Sequence, residues 1–134
     1  MIGLVIVTHG QLAQELVAAT EHVVGKLAAC IPVSIGADDD MEQRRDDIRA
    51  AVRAADKGDG VIIVTDIFGG TPSNLSMSLL EKSRVEVIAG ANLPMMITLA
   101  EARTRLGLAD LASNASSAGR RYITVGSHLI DGLS

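Results

Sequence analysis

The sequence predicts an α/β fold, with a mostly parallel open sheet of about five strands and helices on both faces. Short apolar runs alternate with longer amphipathic ones along all 134 residues. The first run, residues 2–7, is apolar without a polar alternation, the pattern of a strand covered on both faces. Composition agrees: 48% of residues are hydrophobic, and a single Phe, a single Tyr and no Trp leave the core to aliphatic side chains. This length suits one domain over residues 1–134 with one core.

Taken in order, the elements follow from local patterns. After the strand at 2–7, Leu12, Leu16, Ala19, Val23 and Leu27 recur at helical spacing and predict a helix over 11–27. Residues 31–35 form a second strand, with Pro32 near its start, as an edge or strand entry tolerates. Asp39 and Glu42 stand at capping-box spacing before a helix that runs to Ala55. Its arginines (44, 45, 49 and 53) read as a solvated face paired with neighbouring aspartates. A Lys57-Gly-Asp-Gly60 turn leads to a third strand at 61–65. Thr71 suits a helix N-cap and Pro72 the first turn, where no N–H is missed. A fourth strand at 85–89 precedes a helix to Leu106; the Ser/Asn/Gly-rich stretch 113–119 reads as a loop, and 121–125 as a fifth strand.

Composition also excludes whole classes. A net charge of −4 and the scarcity of rings argue against nucleic-acid binding, which needs surplus cations and stacking surfaces. The lone Cys30 can form no internal disulfide, fits a reducing compartment, and reads as a small buried hydrophobe. No basic leader precedes the first strand and no apolar run is long enough to span a bilayer, so the expectation is a cytoplasmic protein without membrane insertion. His9, His22 and His128 lie far apart without ligand spacing, so no metal site and no cofactor are expected.

In open parallel sheets, chemistry gathers beyond the carboxyl ends of the strands. The first strand ends in Thr8-His9-Gly10, the third in Asp66-Ile-Phe-Gly-Gly-Thr-Pro-Ser-Asn74, the fourth in Gly90-Ala-Asn-Leu-Pro94. His9 is the only histidine at such an end, and a neutral imidazole nitrogen can take up and release a phosphoryl group. Asp66 is the carboxylate placed to accept a hydrogen bond from its other ring nitrogen and fix the tautomer. Gly69 and Gly70 bring backbone N–H groups to a helix start, and the Thr71 and Ser73 hydroxyls add donors for a phosphate. Singly, each feature has a plainer reading: a turn histidine, a capping aspartate, a helix start. Together they point to an anion-handling site. No Lys or Arg lies in these loops, so a partner is expected to contribute a cation.

The segments Val5-Ile-Val-Thr-His-Gly10, Val64-Thr-Asp-Ile-Phe-Gly-Gly-Thr-Pro-Ser-Asn74 and Val87-Ile-Ala-Gly-Ala-Asn-Leu-Pro-Met95 resemble the hallmark stretches of mannose-family IIA components of the sugar phosphotransferase system, in the same order and spacing. The resemblance covers essentially the whole chain. It implies a phosphoryl carrier in which His9 accepts phosphate from the phosphocarrier HPr and passes it to a IIB component for sugar uptake. It further implies that Asp66 hydrogen-bonds His9 and that Thr71 contacts the phosphate. It also implies a homodimer that exchanges a carboxyl-terminal strand, with residues 121–125 antiparallel in the partner's sheet. Some family members carry tryptophan where this chain has Phe68, and no IIB domain is fused before Ser134. Two other readings share these residues: a regulatory module read through its phosphorylation state, and the phosphocarrier subunit of a dihydroxyacetone kinase.

Overall fold

Four parallel strands carry the architecture in a computed structural model that describes residues 1–131. They are β1 (Gly3–His9), β2 (Cys30–Ile35), β3 (Val61–Thr65) and β4 (Val85–Ala89), in the spatial order β2-β1-β3-β4. β1 is therefore central, its Val7 level with Val33 on one side and Thr65 on the other. Pro32 sits in an edge strand, where a missing N–H costs least. Each strand is joined to the next by a helical segment, which parallel pairing requires.

Alternate residues of the strands feed two apolar layers. Ile2, Leu4, Ile6, Ile62, Val64 and Ile88 pack under α1 (Leu12–Val24), α4 (Leu93–Ala102) and α5 (Leu108–Arg121). Val5, Val7, Val61, Ile63 and Val85 pack under α2 (Met41–Ala55) and α3 (Thr71–Met77). Burying both faces explains why β1 reads as an unbroken apolar run. The core is accordingly aliphatic: Ile48, Met96, Leu99 and Leu111 are fully enclosed, while Phe68 and Tyr122 lie outside it. Cys30 packs half-buried against this core as read, and burial, working against the Arg103 guanidinium, pushes its thiol up to about 11.

Several local expectations need correction. In α1 the buried positions are Ala13 and Thr20, flanked by Leu16 and Val17, whereas Leu12 and Val23 are exposed; the inward stripe is rotated from the one read. The α2 cap is Asp40, whose carboxylate accepts from the N–H groups of Glu42 and Gln43, while Asp39 accepts from Gly36 N at 2.7 Å. Two of the four arginines of α2 pair with aspartates, Arg44 with Asp47 and Arg49 with Asp46, while Arg45 and Arg53 make no ion pair among the described residues.

Larger differences lie beyond Ala102. The helix expected to reach Leu106 stops there, and 113–119 is helix α5, not loop. Small residues at 113–119 serve close packing between helices. A Cβ on Gly119 would stand 3.1 Å from Met95 Cε and 3.3 Å from Asn92 Oδ1. Residues 121–125 form no strand: Arg121 closes α5, and a short α6 (Gly126–Ile130) follows. The described sheet accordingly has four strands, and nothing in it pairs antiparallel with β4 along its length. The 121–125 segment pairs with neither edge strand of its own sheet, and Tyr122, Ile123 and Val125 stay exposed.

Candidate functional site

His9 is the last residue of the central strand, and its ring is about half exposed, with a side-chain accessibility of 53%. Thr8, fully buried beneath it, accepts a hydrogen bond at 2.7 Å from Ala13 N in the first turn of α1. The N-cap residue Gln11 makes no side-chain cap bond, so this threonine holds the helix start against the strand end. The neighbouring strand β3 ends at Thr65, level with Val7, so Asp66 leaves the sheet beside the end of β1 that carries the histidine.

One carboxylate oxygen, Asp66 Oδ2, stands 2.9 Å from His9 Nδ1 and 3.1 Å from His9 N. The other, Oδ1, accepts from Ile67 N at 3.1 Å. An ionised carboxylate only accepts, so Nδ1 carries a proton, and in the neutral ring the lone pair is then on Nε2. Burial by itself raises the Asp66 carboxyl. The hydrogen bonds from the His9 ring and backbone, with the attraction between the two groups, outweigh it and hold the carboxyl below its ordinary value of 3.8.

Gly69 and Gly70 shape the turn for different reasons. Gly69 has φ +95°, a backbone conformation that side chains disfavour. Gly70 has an ordinary φ of −89°, but a Cβ there would stand 2.9 Å from His9 Cε1 and 3.2 Å from Nε2. The bare backbone at 70 is therefore what gives the imidazole edge its room. Gly70, not Thr71, is the N-cap of α3; Thr71 is exposed and its hydroxyl makes no cap bond. Ser73 is buried, its Oγ sealed from solvent and without a partner among the described residues.

A pocket of about 340 Å³ opens beside the ring, lined by His9, Gly10, Ile35, Gly36, Ala37, Met41 and Thr71. Ile35, Gly36, Ala37 and Met41 come from the end of β2 and the start of α2, a contribution that sequence reasoning missed because none of these four carries a reactive side chain. The only signal was topological, since β2 pairs with β1 up to the His9–Ile35 level. By contrast, Gly90-Ala-Asn-Leu-Pro94 lines no part of this pocket. Asn92 caps α4 at Met95 N and donates to Gly119 O at 2.9 Å, a structural latch between helices. His22 is exposed on α1 and His128 on α6, both away from the pocket lining. Among the described residues, no cluster of three or more His, Cys, Asp or Glu could hold a metal ion. No helix among them is long and apolar enough to cross a membrane.

A four-stranded parallel sheet thus joins an imidazole to a carboxylate across its carboxyl end. The chain belongs to the EIIA-man family, described as PTS system fructose IIA component, whose model matches residues 3–116. YadI of Escherichia coli K12, which bears the name of a phosphotransferase enzyme IIA component, is 39% identical over 99 residues, 72% of this chain and 66% of that protein. The fructose-specific EIIA component of Bacillus subtilis is 27% identical over 93% of this chain and 86% of its own length. Among solved structures, the mannose/sorbose specific IIA subunit of Enterococcus faecalis superposes with a TM-score of 0.81 at 28% identity, covering 92% of this chain and 93% of that one.

Proposed function

We propose that this protein is a cytoplasmic phosphoryl carrier of the sugar phosphotransferase system, using Nε2 of His9 as the acceptor atom. The observation that carries the proposal is the 2.9 Å contact between His9 Nδ1 and Asp66 Oδ2, which in the neutral ring favours the tautomer with its lone pair on Nε2, beside the open pocket. In the step itself, the Nε2 lone pair attacks phosphorus and a new N–P bond forms. The P–N bond to the donor histidine breaks, and its electron pair returns to that imidazole. The Nδ1 proton stays on His9 and continues to donate to Asp66. Run backwards against an acceptor side chain, the same step discharges the carrier.

The phosphoryl group would occupy the space over Gly69, Gly70 and Thr71, meeting the Thr71 hydroxyl and the first-turn amides of α3. Ser73 lies enclosed beneath, its Oγ sealed from solvent and so out of reach of a phosphate in this conformation. The donor in this reading is HPr and the acceptor a IIB component, the partners that the family implies. Incubation with phosphoenolpyruvate, enzyme I and HPr tests it: an acid-labile phosphate should appear, vanish in His9→Ala, and persist in His22→Ala and His128→Ala. Absence of label, or label on His22, refutes the assignment.

A homodimer belongs to the same proposal. Tyr122, Ile123, Val125, Leu129 and Ile130 expose between 56% and 88% of their surface, and the outer edge of β4 is unpaired along most of its length among the described residues. A second copy supplies cover for both. Light scattering should give twice the 14.0 kDa chain mass; a monomer at micromolar concentration contradicts it.

A further inference from the structure

Beside the reactive ring, two large apolar side chains stand in water. Ile67 is 58% exposed and Phe68 is 74% exposed, in the turn between Asp66 and Gly70. They belong to the site's rim: Ile67 Cγ2 lies 3.7 Å from where a Gly70 Cβ would be, and that same position is 2.9 Å from the His9 ring. Phe68 is the only phenylalanine of a chain whose other large side chains mostly fill the core.

β1 lies between β2 and β3, so the segment leaving β2 flanks His9 on the side away from this turn. Gly36, Ala37 and Met41 of that segment line the pocket, and between and beyond them stand Asp38, Asp39, Asp40 and Glu42. Asp39 and Asp40 each accept from backbone N–H groups. Asp38 and Glu42 are exposed and make no side-chain ion pair among the described residues. No lysine or arginine lines the pocket.

We infer that Ile67 and Phe68 form the apolar anchor of a protein docking surface, with the carboxylates of 38–42 as its electrostatic rim. The fitting partner is a phosphoryl-exchanging protein with an apolar hollow next to its own reactive atom and lysine or arginine side chains along one border. Geometry demands the contact: any protein that brings phosphorus to bonding distance of His9 Nε2 covers the adjoining turn as well. An aromatic side chain at the centre of such a contact has few torsions to freeze and much area to bury, the properties of an interface hot spot. Cations facing the acidic rim speed encounter and also bring the positive charge that this chain's own pocket lacks.

The inference rests on the phosphocarrier reading, and two phosphate donors separate their failures. Phe68→Ser and Asp38→Asn/Glu42→Gln are compared with the unaltered protein, using phosphoramidate as a small P–N donor and phospho-HPr as the protein donor. Phe68→Ser should raise KM for phospho-HPr by about tenfold or more, while its rate with phosphoramidate stays within about twofold of the unaltered protein and its oligomeric state is unchanged. The carboxylate variant should flatten the fall of kcat/KM with added salt. A Phe68→Ser protein that keeps its KM for phospho-HPr overturns the anchor. So does one that loses the reaction with both donors, or one that changes oligomeric state, because residue 68 then serves the site itself or a contact between copies. If the unaltered protein takes phosphate from neither donor, the phosphocarrier reading itself falls.

Discussion

At Gly70 a single hydrogen atom decides whether His9 keeps its place. The Cβ of an alanine there would stand 2.9 Å from the ring's Cε1, closer than carbon atoms tolerate, and the imidazole would have to swing away. Gly70→Ala should therefore slow phosphorylation by on the order of 100-fold, yet shift the melting temperature little, because the turn's φ of −89° suits alanine. Rate and melting curve measured together check this, and an unimpaired rate would contradict the geometry. The neighbouring carboxylate makes a second prediction, in pH. The bonds from His9 to Asp66 hold that carboxyl below 3.8, its value in the unfolded chain. Their stabilisation is then complete above 3.8 and is lost only as pH falls through the lower folded value. Side-chain carbonyl NMR of Asp66 should show a midpoint below 3.8, and one above it would mean that burial dominates. Asp66→Asn removes the obligate acceptor and leaves the tautomer unfixed, and should cost at least about tenfold in transfer rate.

Elements differ in how plainly the sequence announces them, and physics explains the difference. Strands β1 and β3 lie between two helix layers, so their residues are apolar in succession and need no partner to be recognised. Helix α5 escaped because close approach to α4 selects small residues: Ala115, Ala118 and Gly119 face inward, and interspersed serines imitate a loop. Residues 121–125 have strand-forming side chains but join no sheet edge, since they continue from the end of α5 into α6, and local propensity alone does not place a strand. The candidate site shows the same division. His9 and Asp66 were legible because their residue types are chemically pointed and both end strands. The wall of Ile35, Gly36, Ala37 and Met41 was not, since these unreactive residues matter only through strand order. Packing between elements is tightest at Gly3, where a Cβ would meet the Ala55 carbonyl oxygen of α2 at 2.2 Å. Gly3→Ala must part that helix from the sheet and should destabilise the fold by about 1–3 kcal/mol; chemical denaturation checks it, and unchanged stability would contradict this packing.

For the molecule as a whole, the sheet order does the assembling. A central β1 between β2 and β3 brings residues 57 positions apart, His9 and Asp66, into one hydrogen bond, with the start of α2 closing the pocket from the other side. Among the described residues these parts meet at the His9 end, and the proposed transfer uses the ring nitrogen that Asp66 does not engage. The most direct measurement is nitrogen NMR of the protein with 15N-labelled histidine, before and after phosphorylation. Nδ1 of His9 should remain protonated throughout, and the phosphorus coupling should fall on Nε2. Phosphorus on Nδ1, or on a ring other than that of His9, would contradict the central claim.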